Sequence, residues 1–260
     1  MRIATWNVNS IKAHFDQVTD WVKEHKPDVL CLQEITCEDA NFPAAAFEDL
    51  GYNCAVHGQK TYNGVAILSR YPLQDVSKGL SGDAADEQAR FIVATVVEGD
   101  LACRVGCLYL PNGNPSPGPK YDYKLAWMKR LQSFAVEALS HEEALVLAGD
   151  FNVIPAEADV RHPQNWLEDA LYRPATRAAF QDLLALGLTE SYRVLNPLGK
   201  GDYSFWDYQA GAWPKNNGIR IDHLLLSPQA ADRLQTSSIY KAARGHEKPS
   251  DHVPVDIVLA

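Results

Sequence analysis

The chain has 260 residues, of which 46% are hydrophobic and 22% charged, an ordinary soluble composition with enough length to bury a sizeable core. A formal net charge of −9 argues against tight non-specific nucleic-acid binding through overall charge; it leaves room for a local basic face, and it suits an enzyme that gathers carboxylates around a cation. No apolar run approaches a membrane span, and five scattered cysteines (Cys31, Cys37, Cys54, Cys103, Cys107) with no CxxC pair and no apolar secretion segment in MRIATWNVN predict reduced thiols in a cytoplasm and no zinc site.

In chain order, Ile3 to Trp6 alternates as a strand and runs into Asn7 and Asn9. Ser10 is placed to cap a helix whose apolar residues Ile11, Phe15, Val18, Trp21 and Val22 recur at helical spacing, ending before Pro27. Val29 to Leu32 is a short buried strand closed by Gln33 and Glu34, and Ala44 to Leu50 a short helix stopped by Gly51. Asn53–Val56 and Val65–Ser69 read as strands, and the polar stretch Leu73 to Gln88 as a loop. Phe91–Glu98 and Leu101–Tyr109 predict a hairpin turned at Gly99-Asp100. Pro115, Pro117 and Pro119 predict an exposed loop before a helix over Tyr123–Leu139. Ala144 to Ala148 is a buried strand leading to Gly149, where a turn is expected, and then Asp150, Phe151 and Asn152. Ala156–Pro174 is irregular, and Thr176 caps a helix ending at Leu186-Gly187. Strands over Ile221–Leu226 and Val253–Leu259 complete the chain, with Trp166 and Trp213 read as packing residues. No repeat or linker interrupts residues 1–260, so a single domain is expected.

Polar residues recur at the strand ends: Asn7, Glu34, Tyr109, Asp150 with Asn152, Asp222, and Asp251 with His252. If the strands stack in one or two sheets, these groups meet at a single rim. Crowded carboxylates repel unless a cation balances them, and the oxygen-rich set suits Mg²⁺ or Mn²⁺. Asn7, Glu34, Asp150, Asn152, Asp251 and His252 are the candidate metal residues. Asp150 and Asn152, two apart on an extended chain, suit an attacking water, and His252 can bridge a carboxylate and a substrate oxygen. Such a kit fits hydrolysis of a phosphate ester.

WNVNS at Trp6–Ser10, LQE at Leu32–Glu34, YLPNGN at Tyr109–Asn114, GDFN at Gly149–Asn152, RID at Arg220–Asp222 and SDHVPV at Ser250–Val255 occur in this order across nearly the whole chain. Together they resemble the endonuclease/exonuclease/phosphatase superfamily, and YSFWDY at Tyr203–Tyr208 with RID resembles its exonuclease III-type AP endonucleases. The resemblance implies an α/β fold, a DNase I-like four-layer sandwich of two mixed β-sheets face to face with helices outside. It implies Glu34 as chief metal ligand with Asn7 and Asp251 near, Asp150 activating water, Asn152 holding that water or the phosphate, and Tyr109 touching the scissile phosphate. His252, oriented by Asp222, would stabilise the transition state. Phe205, Trp206 and Ile219 would line the apolar pocket for a flipped abasic sugar. Arg90, Asn112, Lys120, Lys124, Asn216 and Arg220 would face DNA. The expected activity is Mg²⁺-dependent cleavage of duplex DNA 5′ to abasic sites, with 3′-5′ exonuclease and 3′-phosphatase action at recessed 3′ ends, by a monomer; a small-molecule or lipid phosphatase of the same superfamily is the alternative. One departure stands out: the family often has Thr-Lys after the Glu, whereas Ile35-Thr36-Cys37 follows here.

Overall fold

The computed structural model describes residues 1–260. Twelve strands form two six-stranded mixed sheets. The first sheet has the order β11 (Leu234–Ile239), β12 (Val255–Leu259), β1 (Arg2–Asn7), β2 (Val29–Gln33), β4 (Val65–Ser69), β3 (Asn53–His57). The second runs β5 (Leu73–Lys78), β6 (Phe91–Glu98), β7 (Leu101–Tyr109), β8 (Ala144–Asp150), β10 (Asp222–Leu226), β9 (Thr189–Glu190). Each sheet contains one parallel pair, β1 with β2 and β7 with β8. A parallel pair needs a crossover, supplied by α1 (Phe15–His25) and α3 (Pro119–Leu139).

The central strands are apolar on both faces because both faces are covered. Ile3, Cys31, Ile67, Val105, Val146, Leu224 and Ile257 interdigitate between the sheets. Trp6, Leu30 and Leu68 pack outward on α1 and α2 (Ala44–Glu48). Phe91, Leu147 and Leu225 pack outward on α3 and α4 (Pro174–Ala185). The result is the expected four layers. The short helices α5 (Ser191–Leu195) and α6 (Pro228–Ala231) border the second sheet.

Several local expectations are corrected. Leu73–Lys78 is a strand, not loop: as an edge strand with nearly all side chains in solvent and a register shift between Gln74 and Ser77, it shows no apolar alternation. β11 escaped notice because it is polar between Leu234 and Ile239 and its register also shifts, between Leu234 and Thr236. α1 starts four residues later than its cap was placed; Ser10 has φ 83 and its hydroxyl accepts from the Ala13 amide, so it forms a turn ahead of the helix. α3 begins at Pro119 itself, since proline suits the first helical position, where its missing N–H is no loss. Thr176 lies inside α4, its hydroxyl donating to the Ala170 carbonyl.

Candidate active site

In open α/β sheets the carboxyl ends of parallel strands gather polar groups at one edge. Asn7 ends β1, Glu34 follows β2, Tyr109 ends β7 and Asp150 ends β8. β10 and β12 run antiparallel to their neighbours, so their amino ends reach the same rim with Asp222, Asp251 and His252. Tyr109 and Asp222 flank Asp150 in register on either side. Gly149 is not a turn residue: it lies within β8, where a Cβ would stand 1.9 Å from the Leu108 carbonyl oxygen. The glycine is required by close approach of β7 and β8. The turn falls at Asn152, with φ 47, whose N–H donates to Asp150 Oδ1 at 2.9 Å in an Asx turn.

Hydrogen bonds knit these side chains together. Asn7 Nδ2 donates to Glu34 Oε1 at 2.7 Å and to Asp150 Oδ2 at 2.9 Å, while its Oδ1 accepts from the Asn9 N–H. Asn7 therefore spaces two carboxylates, its amide oxygen turned to the Asn9 N–H. His252 Nδ1 lies 2.8 Å from Asp222 Oδ2, leaving Nε2 3.7 Å from Asp150 Oδ2. Asn112 Nδ2 donates to Asn152 Oδ1, and Asn152 Nδ2 to the Leu110 carbonyl. The Phe205 ring meets the His252 ring edge-on at 4.9 Å, and the Arg90 guanidinium lies 4.8 Å above the Tyr109 ring.

The charges follow. Burial first, with Asp222 and Glu34 adding and His252 and Asn7 opposing, lifts the Asp150 carboxyl to about 7. Burial works against a charged His252, but Asp222 and then Asp150 outweigh it and hold the imidazolium up to about 10. Burial, with Glu34 and Asp150 beside it, keeps the Tyr109 hydroxyl well above its ordinary value and so protonated.

Three expected substrate contacts are corrected. Lys124 is wholly buried, and its Nζ donates to the carbonyls of Asn112 at 3.0 Å and Asn152 at 2.6 Å; burial pulls its ammonium down to about 7. It cannot reach a DNA phosphate. Arg220 is 1% exposed and neutralises two buried carboxylates, Asp159 at 2.8 Å and Glu190 at 2.7 Å. Arg220→Ala leaves Asp159 with Arg193 alone and Glu190 with only the Arg193 N–H and His223 beside it, so a loss of roughly 3–5 kcal/mol is expected in denaturant unfolding; a loss under about 1 kcal/mol would contradict this role, being the range of an exposed pair. Trp206 is also buried, its Nε1 donating to Asn216 Oδ1 and its ring packed on Tyr203 and Trp213, in a different cluster from Phe205, so it does not line the pocket. Ile219 is nearly buried, pairing with Phe205. Lys120 and Asn112 are exposed, and Arg90 and Asn216 half-buried, at the surface.

Other residues around the site were not anticipated. Ser250 Oγ donates to the Asn7 carbonyl and accepts from the His252 N–H, and Ser204 Oγ accepts from the Ile221 and Asp222 amides. Asn9 Nδ2 reaches Asp251 Oδ1 at 3.4 Å. A Ser two before His is an ST-turn signal from which Ser250 could have been found; Ser204 carries no such signal. After Glu34, Ile35 and Cys37 are buried; the cationic charge felt at the Cys37 thiol comes from Lys12, against the upward push of burial.

The donor set fits a hard cation. The only ion-pair partner of Glu34, Asp150, Asp222 or Asp251 is His252, which leaves an excess of negative charge. Asp150, Asp222 and His252 place ligand atoms within 4.8 Å of one another. The bond from His252 to Asp222 occupies that nitrogen, however, and Glu34 and Asp251 are the less encumbered oxygen donors.

Comparison with known proteins agrees with this geometry. The sequence pattern of the Endonuclease/Exonuclease/phosphatase family matches residues 4–252. An exodeoxyribonuclease III from Haemophilus influenzae is 32% identical over 267 residues, covering 98% of each chain. A structure of the 3′ phosphatase NExo from Neisseria bound to product DNA hairpin superposes with a TM-score of 0.96 at 41% identity, over 100% of this chain and 99% of that one. An AP endonuclease from Archaeoglobus fulgidus gives 0.94 at 36% identity, over 100% and 99%. The chain thus belongs to the endonuclease/exonuclease/phosphatase family, and within it to the exonuclease III-type nucleases of DNA repair.

Proposed function

We propose that this chain is a Mg²⁺-dependent hydrolase, with Mn²⁺ able to substitute, that cuts duplex DNA on the 5′ side of abasic sites to leave a 3′-hydroxyl and also trims recessed 3′ ends, removing nucleotides and 3′ phosphates. The observation that carries the reading is the line from Asp222 through His252 to Asp150, opposite Glu34 and walled by Phe205. Asp150 accepts a proton from water, and the Asn152 N–H and Asn7 amide keep its oxygens aimed. His252, charged and held by Asp222, donates to a non-bridging phosphoryl oxygen as negative charge grows there. Tyr109, protonated, donates to the same phosphate. Glu34 and Asp251 would hold the cation, which when bound would supply charge neutralisation at the phosphoryl oxygens. Phe205, backed by Ile219, offers an apolar wall to a sugar that has lost its base, with Lys120, Arg90 and Asn216 set to meet the DNA backbone. Both AP endonuclease and 3′ phosphatase names among the relatives support the pairing of activities. The five unpaired thiols support a reducing, cytoplasmic setting, and the monomer belongs to the same proposal.

The test is one labelled duplex bearing an internal abasic site and a recessed 3′-phosphate, with an inositol phosphate as the competing substrate. Scission 5′ to the abasic site, with release of phosphate from the 3′ end, is expected in Mg²⁺ and lost in EDTA. Turnover of the inositol phosphate with intact DNA would overturn the reading.

A further inference from the structure

Lys124 sits on α3, the helix that crosses from β7 to β8, and turns back toward the two strands it connects. Its Nζ reaches the loops that follow both of them: the Asn112 carbonyl after β7 and the Asn152 carbonyl after β8. Those loops carry the amide pair beside Asp150, since Asn112 Nδ2 donates to Asn152 Oδ1. Asn152 has a left-handed backbone, φ 47, a region that asparagine tolerates better than most residues but that still costs free energy which its contacts must offset. Four bonds meet at that residue: its N–H to Asp150 Oδ1, its Nδ2 to the Leu110 carbonyl, its Oδ1 from Asn112 Nδ2, and its carbonyl from Lys124. Only the last comes from a side chain outside the two loops. The chain makes room for it at Gly113, where φ is +88 and a Cβ would stand 2.7 Å from Lys124 Cδ.

We infer that Lys124 is a positioning residue for the hydrolysis: by clipping the two loops together it holds Asn152 in its left-handed turn, and so sets the Asn152 amide and the Asp150 carboxylate against the reacting phosphate. It touches neither substrate nor cation and acts through Asn152. A long, flexible stem ending in several N–H donors is what this place demands, because two backbone carbonyls from different loops must be met at one buried point. Without the amine, both carbonyls lose a partner away from water, and the turn at Asn152 is free to relax.

The inference rests on the abasic-endonuclease reading, and wild-type protein cutting an abasic duplex is the control for that reading. Lys124→Met keeps the length of the stem and removes the donors. On the abasic duplex, kcat is expected to fall roughly a hundredfold, as for a misplacement of about 1 Å at a reacting group, with KM little changed. In an Asn152→Ala background the same substitution should cost clearly less than in the wild type, because the Asn152 amide is gone and only the backbone hold on Asp150 remains to be lost. Lys124→Arg, which retains donors, should recover part of kcat; this variant also serves if Lys124→Met does not fold. A rise in KM at unchanged kcat would overturn the inference in favour of a phosphate contact. A lowered Tm with kcat intact, or losses that multiply with Asn152→Ala, would overturn it in favour of a purely structural or independent role. If wild type leaves the abasic duplex uncut, the functional reading fails first; if wild type cuts and the variants give either overturning result, this inference alone fails.

Discussion

Asp150→Asn is expected to yield a folded protein that binds an abasic duplex but cuts it roughly 10²–10⁴ times more slowly. Asp150 is 1% exposed at the end of the second sheet's parallel pair, and its oxygens are held by the Asn152 N–H and the Asn7 amide. An amide in its place keeps the shape but takes no proton. The fold should tolerate the change, because the carboxylate is costly where it stands: burial, Asp222 and Glu34 all resist its charge. Tm is therefore expected to hold or rise. Single-turnover cleavage, a gel-shift titration and a melting curve on one preparation check all three parts. Wild-type cleavage would remove Asp150 from the chemistry, and a collapsed melt would show that the site residue was mainly structural.

The second large effect concerns His252. His252→Ala is expected to lower kcat roughly 10²–10³-fold, the cost of losing one donor aimed at developing charge. Asp222→Asn should cost less, because the ring stays, but should change the pH profile. The sign is set by the proton. Asp222, 2.8 Å from Nδ1, favours the imidazolium, so the wild-type ring is protonated at neutral pH and loses its proton only as the pH nears about 10. Activity that needs a charged donor is thus present below that pH and lost above it. Removing the Asp222 charge makes the imidazolium easier to deprotonate, so the alkaline decline of kcat/KM moves to lower pH. At the other end, protonation of the raised Asp150 carboxyl gives the acid limb, which a cation bound nearby would move lower. An alkaline limb that stays put in Asp222→Asn would show that Asp222 does not govern His252.

Much of the local order is written in short segments. Apolar runs such as Val29–Leu32 and Ala144–Ala148 became buried central strands because a run covered on both faces needs no alternation. The edge strands β5 and β11 left no such trace, since they are largely polar, β5 with nearly all its side chains in water and β11 half-buried, and their pairing depends on the neighbour. The site was legible as residue types at strand ends, and Glu34, Tyr109, Asp150, Asp222 and His252 do share one rim. What each does there was less legible. Lys124 and Arg220 have the letters of phosphate contacts, yet both are interior, one clipping two loops and the other neutralising Asp159 and Glu190. The bond of the Asn7 amide nitrogen to both Glu34 and Asp150 was likewise not legible in the sequence.

By itself, then, the order of residues determined the central strands, the crossover helices, the polar groups that close those strands and the family they spell. The tertiary structure alone decided which cations face solvent, which way an amide turns, and that a glycine read as a turn is a contact between two backbones. The physical reason is range: periodicity and turn chemistry act over a few neighbouring residues, whereas burial and the partner of a charge are set by groups brought near from elsewhere in the chain, as Asp222 is to His252 and α3 to the loops it joins.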